Sequence, residues 1–173
     1  MVTWMIGLSR AGKTTLSKIL YEKLKPQFQN LVLLDGDAIR ILFGNDVDHT
    51  IEGRRKNAER ISQLSKFLSD QNIHVIAAVL SIFPEWQVWN RENITDYSEI
   101  YIKAGLDVLE KRDVNNLYYQ AKNGLIKNVV GVDIPFPEPA HPDLIIDNNM
   151  ETNDFSGFIE KILLLENIQK LQK

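Results

Sequence analysis

One eight-residue segment, Gly7–Thr14, constrains the fold of this chain more than any other feature. Its letters, GLSRAGKT, fit the pattern G-x-x-x-x-G-K-[ST], in which a glycine-rich loop leads from a strand into a helix. The apolar run Val2–Ile6 precedes the segment, and the residues after it have the spacing of one helix face: Leu16, Ile19, Leu20 and Leu24. The sequence therefore predicts a strand, a phosphate-binding loop and a helix in this order.

The residue types of this loop suit a nucleoside triphosphate and Mg²⁺. Glycines let backbone N–H groups turn towards phosphate oxygens, and the N-terminus of the following helix adds positive potential. Lys13 is expected to reach the β- and γ-phosphates, and the Thr14 hydroxyl is expected to bind Mg²⁺. The loop residues predicted to hold the nucleotide are Gly7, Ser9, Arg10, Ala11, Gly12, Lys13, Thr14 and Thr15. The alternative is a strand-to-helix turn that binds nothing.

Further apolar runs predict four more strands: Leu31–Leu34, Ile73–Leu80, Glu99–Ile102 and Asp143–Ile146. Helical spacing recurs between and after them, at Ile61, Leu64, Ser65 and Leu68 and at Phe155, Ile159, Ile162 and Leu163. The C-terminal helix is expected to start at Asn153 and could be a packing or a dimer element. Strands that alternate with helices predict a parallel sheet covered on both faces. The expected fold class is α/β, with a five-stranded, mainly parallel sheet in three layers.

Length and composition limit the classes of protein. A chain of 173 residues suits one domain over residues 1–173, and a formal charge of −3 gives no general reason to bind nucleic acid. The absence of cysteine excludes disulfides and thiolate chemistry. No apolar run reaches the length of a membrane span, and the first residues lack a basic segment followed by a long apolar one. We expect no membrane partner and a cytoplasmic location.

Two carboxylates, Asp35 and Asp37, follow the second predicted strand in the segment LLDGDAIR. Open α/β sheets bind their ligands at the carboxyl ends of the strands. One carboxylate could orient Mg²⁺ while the other accepts the proton of an attacking hydroxyl. Read alone, the pair could also be a solvated Asp-Gly turn.

Four segments together resemble the adenylyl-sulfate kinase family from Met1 to about Asp147: GLSRAGKTT, LLDGDAIR, RRKNAERI and RDVNNLYYQAKNGLIKNVVGVDIPFPEPAHPDLIID. The resemblance implies a P-loop NTPase-type kinase, dimeric in many members, that uses ATP and Mg²⁺. Such kinases phosphorylate the ribose 3′-hydroxyl of adenylyl sulfate. A homodimer is therefore an expectation.

The resemblance also implies roles for individual residues. Asp37 matches the catalytic base and Asp35 its partner near the metal that Thr14 binds; Lys13 is the third catalytic residue. Arg112 and the helix after it match part of the ATP site, within a lid over about residues 112–140. The residues matched to acceptor binding, besides Asp37, are Arg40, His49, Arg54, Asn57, Ser81, Phe83, Lys127 and Val129. Lys122 and Lys127 could face phosphate or could be ordinary surface lysines.

Two positions depart from the family pattern. The two phenylalanines that sandwich the acceptor's adenine correspond to His49 and Val129, if the variable segment FGNDVDHTIEGRR is aligned without gaps. Stacking on an aromatic side chain contributes about 1–3 kcal/mol per base, so adenine binding should weaken. A pyrimidine suits the altered pocket, which favours the divergent branch of the family that phosphorylates cytidine diphosphoramidate for surface polysaccharide. Adenylyl sulfate is the alternative acceptor.

The sequence is also compatible with other functions. A regulatory module could bind a nucleotide without phosphorylating a small molecule, and a nucleoside monophosphate or small-metabolite kinase would use the same loop. Trp86 and Trp89 could line the site or pack in the core. The proline-rich segment DIPFPEPAHP, residues 133–142, could be a plain loop or part of the lid.

Overall fold

Five parallel strands form the centre of the computed structural model, which describes residues 1–150 and 154–171. In chain order the strands are β1 Val2–Ile6, β2 Leu31–Asp35, β3 His74–Val79, β4 Tyr97–Lys103 and β5 Leu144–Asp147. Their order across the sheet is β2-β3-β1-β4-β5, and each neighbouring pair runs parallel. The carboxyl ends of all five strands therefore meet at one edge of the sheet.

Eight helices connect and cover these strands within the described residues. Their bounds are α1 Lys13–Leu24, α2 Gly36–Leu42, α3 Ile51–Asp70, α4 Pro84–Asn93, α5 Leu106–Lys111, α6 Leu117–Lys122, α7 Ser156–Leu163 and α8 Glu166–Leu171. None of these helices is long and apolar enough to cross a membrane.

The hydrophobic core lies on both faces of the sheet because β1 is buried in its middle. Successive side chains of a strand point to opposite faces. Met5 packs with residues of α1 and α7 on one face, whereas Trp4 and Ile6 pack with Ile61 of α3 on the other. This arrangement gives the three layers predicted from the alternating pattern.

The predicted α/β class and the five strands are confirmed, and the sheet is wholly parallel rather than mainly parallel. The bounds of β1 match the prediction, and those of the other four strands shift by one or two residues, since a strand continues as far as its neighbour offers hydrogen bonds. Helix α2 had no sequence prediction because its seven residues are too few to show a helical period. The C-terminal segment forms two short helices, and the predicted starting point at Asn153 lies outside the described residues.

Candidate active site

A cavity of about 720 Å³ opens at the carboxyl edge of the sheet, where the phosphate loop, the end of β2 and the segment after β3 come together. Fourteen of the residues predicted from the sequence line it: Ser9, Arg10, Lys13, Thr14, Asp35, Asp37, Arg40, His49, Arg54, Asn57, Ser81, Phe83, Lys127 and Val129. Residues far apart in the chain thus form one site.

The phosphate loop is held in place by contacts from behind. Gly12 has φ of 104°, a conformation that favours glycine, and a Cβ there would lie 2.7 Å from Asn148 Nδ2. The buried Asn148 amide donates to the Ala11 carbonyl at 2.8 Å. Tyr118 donates its hydroxyl to the Ser9 carbonyl at 2.9 Å, and burial raises the pKa of Tyr118 to about 12, so that this donor stays protonated.

Lys13 begins α1 and carries an ammonium group withdrawn from water. Its Nζ donates to the Leu8 carbonyl at 2.8 Å. Burial lowers the pKa of Lys13 to about 8, against the opposing effect of Asp37 and Asp35. A partly desolvated cation beside a glycine-rich loop is suited to bind a polyanion, because a phosphate would compensate the cost of burial.

Thr14 and Asp35 bring together two side-chain oxygens of the kind that Mg²⁺ binds. Thr14 Oγ1 donates to Asp35 Oδ2 at 2.8 Å, and Asp35 Oδ1 accepts from the N–H groups of Asp37 and Ala38 as the N-cap of α2. Mg²⁺ prefers one or two protein oxygen ligands together with waters and phosphate oxygens. No group of three or more His, Cys, Asp or Glu side chains that could hold a metal ion occurs in residues 1–150 and 154–171.

Asp37 and Arg40 lie one turn apart on α2, and both line the cavity. Asp37 is exposed in the first helical turn, whereas Arg40 is only 8% exposed. Arg40 Nε is buried and makes no hydrogen bond with any residue that the structure describes. A buried guanidinium with an unsatisfied nitrogen is costly, so this position favours an anionic group of a ligand.

His49, Arg54 and Asn57 form the next part of the wall. Arg54 Nε donates to the His49 carbonyl at 2.8 Å, and Asn57 Nδ2 donates to the Gly36 carbonyl at 3.1 Å, which ties α3 to the start of α2. Burial, followed by the nearby Arg40 and Arg54, lowers the pKa of His49 below its ordinary value of 6.5. The His49 ring is therefore neutral at neutral pH.

Ser81 and Phe83 close the cavity beyond β3. Ser81 adopts φ of 50°, and Gln87 donates to its carbonyl at 3.2 Å and to its hydroxyl at 3.3 Å. Phe83 is buried, with the Arg55 guanidinium 4.5 Å from the centre of its ring. Both predicted residues thus belong to a firmly held segment.

A second wall of the cavity consists of residues 126–130, together with Asn115 and Leu117. Val129 is buried and Lys127 is exposed. The carboxylate of Asp133 accepts from the N–H groups of Asn128 and Val129, both at 2.6 Å, and so closes this turn. Within the predicted lid, residues 115, 117 and 126–130 line the cavity, whereas the proline-rich residues 133–142 do not.

Five predicted nucleotide-binding residues do not line this cavity: Gly7, Ala11, Gly12, Thr15 and Arg112. The first four belong to the loop or its helix, so their prediction as backbone ligands of phosphate stays a prediction. Arg112 donates to the Met150 carbonyl at 2.8 Å, and its role in the ATP site stays a prediction. Lys122 pairs with Glu110 and also lies outside the cavity lining.

Trp86 and Trp89 pack edge to face at 5.5 Å, and neither is among the residues that line the cavity; Trp86 also packs against the buried cluster that contains Phe83. Sequence reasoning missed Asn148, Tyr118 and Asp133 as supports of the site. In each case the side chain forms a hydrogen bond with a main-chain atom of a loop. Every residue has these main-chain atoms, so such contacts leave no pattern of residue types in the sequence. Only the position of Asn148, two residues beyond the end of a predicted strand, offered a signal.

By fold and site the protein is a P-loop kinase, because a phosphate loop after the first strand adjoins a carboxylate pair after the second. Comparison with known proteins identifies the family within this class. The profile of the family described as Adenylylsulphate kinase matches residues 1–147. The cytidine diphosphoramidate kinase of Campylobacter jejuni is 41% identical over 152 residues, which are 88% of this chain and 88% of that protein.

The adenylyl-sulfate kinase of Bacillus velezensis is 36% identical over 149 residues, which are 85% of this chain and 76% of that protein. Among solved structures, the Mycobacterium tuberculosis APS kinase CysC in complex with AMPPNP and APS superposes with a TM-score of 0.81 at 25% identity, covering 94% of each chain. The protein belongs to the adenylyl-sulfate kinase family and is a phosphotransferase.

Proposed function

We propose that this kinase transfers the γ-phosphoryl group of MgATP to the ribose 3′-hydroxyl of cytidine diphosphoramidate. The observation that carries the choice of acceptor is the pair His49 and Val129, which line one cavity from two different walls. They stand where the family resemblance implies two phenylalanines. The similarity to a cytidine diphosphoramidate kinase supports the same choice.

The base site between these two residues suits a pyrimidine better than a purine. Val129 offers no ring, so one of the two stacking faces is missing, and each such face is worth about 1–3 kcal/mol. The neutral His49 ring stacks on the other side and can also exchange a hydrogen bond with a base edge. A smaller base loses less from the missing ring than adenine does.

On the donor side, the phosphate loop and Lys13 hold the triphosphate. The half-buried Lys13 lines the cavity together with Asp35 and Asp37, so its ammonium group is available to the donor phosphates in the same cavity as the acceptor. Thr14 and Asp35 would hold Mg²⁺, which neutralises charge on the β- and γ-phosphates when it is bound.

On the acceptor side, Asp37 accepts the proton of the attacking 3′-hydroxyl, since its exposed carboxylate faces the cavity from the start of α2. Arg40 binds the 5′-phosphoryl group through its buried guanidinium. The hydroxyl oxygen displaces ADP in line, and the residues 126–130 limit access of water.

Adenylyl sulfate is the second candidate acceptor. Two observations favour it: a His49 ring can stack on adenine as well, and the chain is 36% identical to an adenylyl-sulfate kinase. The reaction at the ribose 3′-hydroxyl would be the same, and only the base and the 5′-group would differ.

The test measures ADP release with MgATP and each acceptor side by side and locates the new phosphate by phosphorus NMR. We expect a higher kcat/KM for cytidine diphosphoramidate and a 3′-phosphate on the product. His49→Phe and Val129→Phe should each shift the ratio of kcat/KM values towards adenylyl sulfate. A preference of the unaltered protein for adenylyl sulfate, with no shift in either variant, would contradict the proposal.

A further inference from the structure

One guanidinium joins the two walls of the proposed base site. Arg54 Nε donates to the His49 carbonyl, and Arg54 Nη2 donates to the Asn128 carbonyl, both at 2.8 Å. His49 and Val129 are therefore each next to, or part of, a peptide unit that Arg54 holds. The two walls lie about eighty residues apart in the chain, so no local structure links them.

The first wall is a rigid turn closed by an aspartate. Asp48 Oδ1 accepts from the Thr50 N–H at 3.1 Å and from the Thr50 hydroxyl at 2.6 Å. The Thr50 oxygen in turn caps α3 by accepting from the Gly53 N–H at 3.1 Å. These bonds fix the backbone on both sides of His49.

The second wall is built in the same way. The Asp133 carboxylate accepts from the N–H groups of Asn128 and Val129, while Val130 and Ile134 form a bridge and are buried against Ala58 and Phe83. Asn128 adopts φ of 65°, which an asparagine tolerates in a turn. Each wall is thus internally fixed, and their separation depends on what joins them.

We propose that Arg54 is a positioning residue that sets the distance between the 48–53 turn and the 128–134 turn, and thereby sets which base fits between His49 and Val129. This inference rests on the proposed function for the location of the base. It differs from the role implied by the family resemblance, in which Arg54 contacts the acceptor, because Nε and Nη2 are both committed to main-chain carbonyls.

Arginine is the side chain suited to this role. Its planar fork offers several N–H donors in fixed directions, whereas lysine ends in a single nitrogen. Hydrogen bonds from a charged donor are among the stronger ones in proteins. Losing both bonds leaves two carbonyls of the site without their partner, and the turns can then move apart.

The first experiment follows hydrogen exchange of the whole protein without ligands. In Arg54→Gln we expect the amides of both the 48–53 turn and the 128–134 turn to exchange about tenfold faster than in the unaltered protein. Arg54→Lys keeps the charge but not the fork and should behave in the same way. Lys66→Gln, which removes a cation from α3 at a salt bridge with Asp70, is the matched control and should leave both segments unchanged.

The second experiment measures kcat/KM for cytidine diphosphoramidate and for adenylyl sulfate in the same variants. A positioning role predicts that the ratio of the two values moves about tenfold towards one in Arg54→Gln and Arg54→Lys, because the base site loses its fixed width. A direct contact with the 5′-phosphoryl group, which both acceptors carry, would lower both values by the same factor and leave the ratio unchanged.

The inference would be overturned if kcat/KM fell equally for both acceptors while amide exchange stayed unchanged. It would also be overturned if Arg54→Lys had the exchange rates and the kcat/KM ratio of the unaltered protein. Failure of the proposed function is distinguishable, since it appears in the unaltered protein as a preference for adenylyl sulfate. If the unaltered protein prefers adenylyl sulfate, the positioning role of Arg54 is still supported when two results occur together in the Arg54 variants: the ratio of the two kcat/KM values moves towards one, and amide exchange becomes faster in both turns.

Discussion

Asp35 and Asp37 lie two residues apart, yet the structure gives their side chains different surroundings. Both oxygens of Asp35 are engaged, one by the N–H groups that begin α2 and the other by the Thr14 hydroxyl. Asp37 is exposed towards the cavity. A base must have a free oxygen within reach of its proton donor, so Asp37 fits that role and Asp35 fits the metal site.

Asp37→Asn should therefore bind ATP almost as the unaltered protein does and lose about 10²–10⁴-fold in kcat, because the amide cannot take the proton of the attacking hydroxyl. Isothermal titration and single-turnover phosphoryl transfer would measure the two effects. Asp70→Asn, on the surface of α3, is the control. Full turnover by Asp37→Asn would eliminate Asp37 as the base.

Lys13 gives a prediction for pH, since its pKa is lowered to about 8 by burial. Below that pH the free protein carries the ammonium that binds phosphate, and above it the neutral amine dominates, so ATP affinity should fall as pH rises through 8. Binding restores the ammonium, so about half a proton should be taken up at pH 8 and almost none at pH 6.5.

Calorimetric titration of MgATP in two buffers of different ionisation enthalpy measures this uptake. Lys13→Met should show no such uptake at pH 8. Equal proton uptake by Lys13→Met and the unaltered protein would show that another group titrates.

At the scale of an element, the start of α3 matters for the proposed base site because its N-cap, Thr50, holds the turn that contains His49. A Cβ on Gly53 would lie 2.4 Å from Asp48 Oδ1 and 2.6 Å from the Asp48 carbonyl, so the Asp48–Thr50 cap needs glycine at this position. Gly157 of α7 is a natural contrast, since a Cβ there would meet nothing within 4 Å.

Gly53→Ala should lower the free energy of unfolding by about 1–3 kcal/mol and raise KM for the acceptor, because the displaced cap moves His49. Gly157→Ala should instead stabilise the protein by about 0.5–1 kcal/mol and leave KM unchanged, since alanine favours a helix. Urea unfolding and steady-state kinetics on both variants provide the comparison. Unchanged stability and KM in Gly53→Ala would contradict the assigned role of the cap.

At the scale of the whole molecule, global stability depends on a buried carboxyl far from the cavity. Glu99 near the start of β4 is 2% exposed, and its Oε2 accepts from the Tyr97 hydroxyl at 2.9 Å. Burial raises the pKa of Glu99 above its ordinary value of 4.5, despite the opposing effects of Tyr97 and Arg91. A raised carboxyl pKa stabilises the fold below pH 4.5, and this contribution is lost as pH rises through the folded-state pKa.

Glu99→Gln should therefore raise the free energy of unfolding at pH 7 by on the order of 1 kcal/mol, because the amide keeps the acceptor for Tyr97 without a buried charge. The gain should shrink as pH falls towards 4.5. Urea unfolding at several pH values tests this, with exposed Glu22→Gln as control. A less stable Glu99→Gln at pH 7 would mean that attraction to Arg91 outweighs the cost of burying the Glu99 carboxylate.

The homodimer stays a prediction, which sedimentation velocity would test.

The sequence by itself determined the phosphate loop, the five parallel strands and the positions of Lys13, Thr14, Asp35 and Asp37. These features depend on residues close together in the chain: the period of apolar residues selects strand or helix, and glycine, lysine and threonine spacing selects the loop. Once parallel strands are known, the site must lie at their carboxyl edge.

Only the tertiary structure decided which contacts hold the site together. Asn148 supports the phosphate loop, Asp133 closes the second wall, and Arg54 bonds to main-chain carbonyls that lie far apart in the chain. Every residue carries a carbonyl, so residue types do not show which one a side chain will reach. That choice is made when the packed layers bring distant loops together, because only then do direction and distance allow a hydrogen bond.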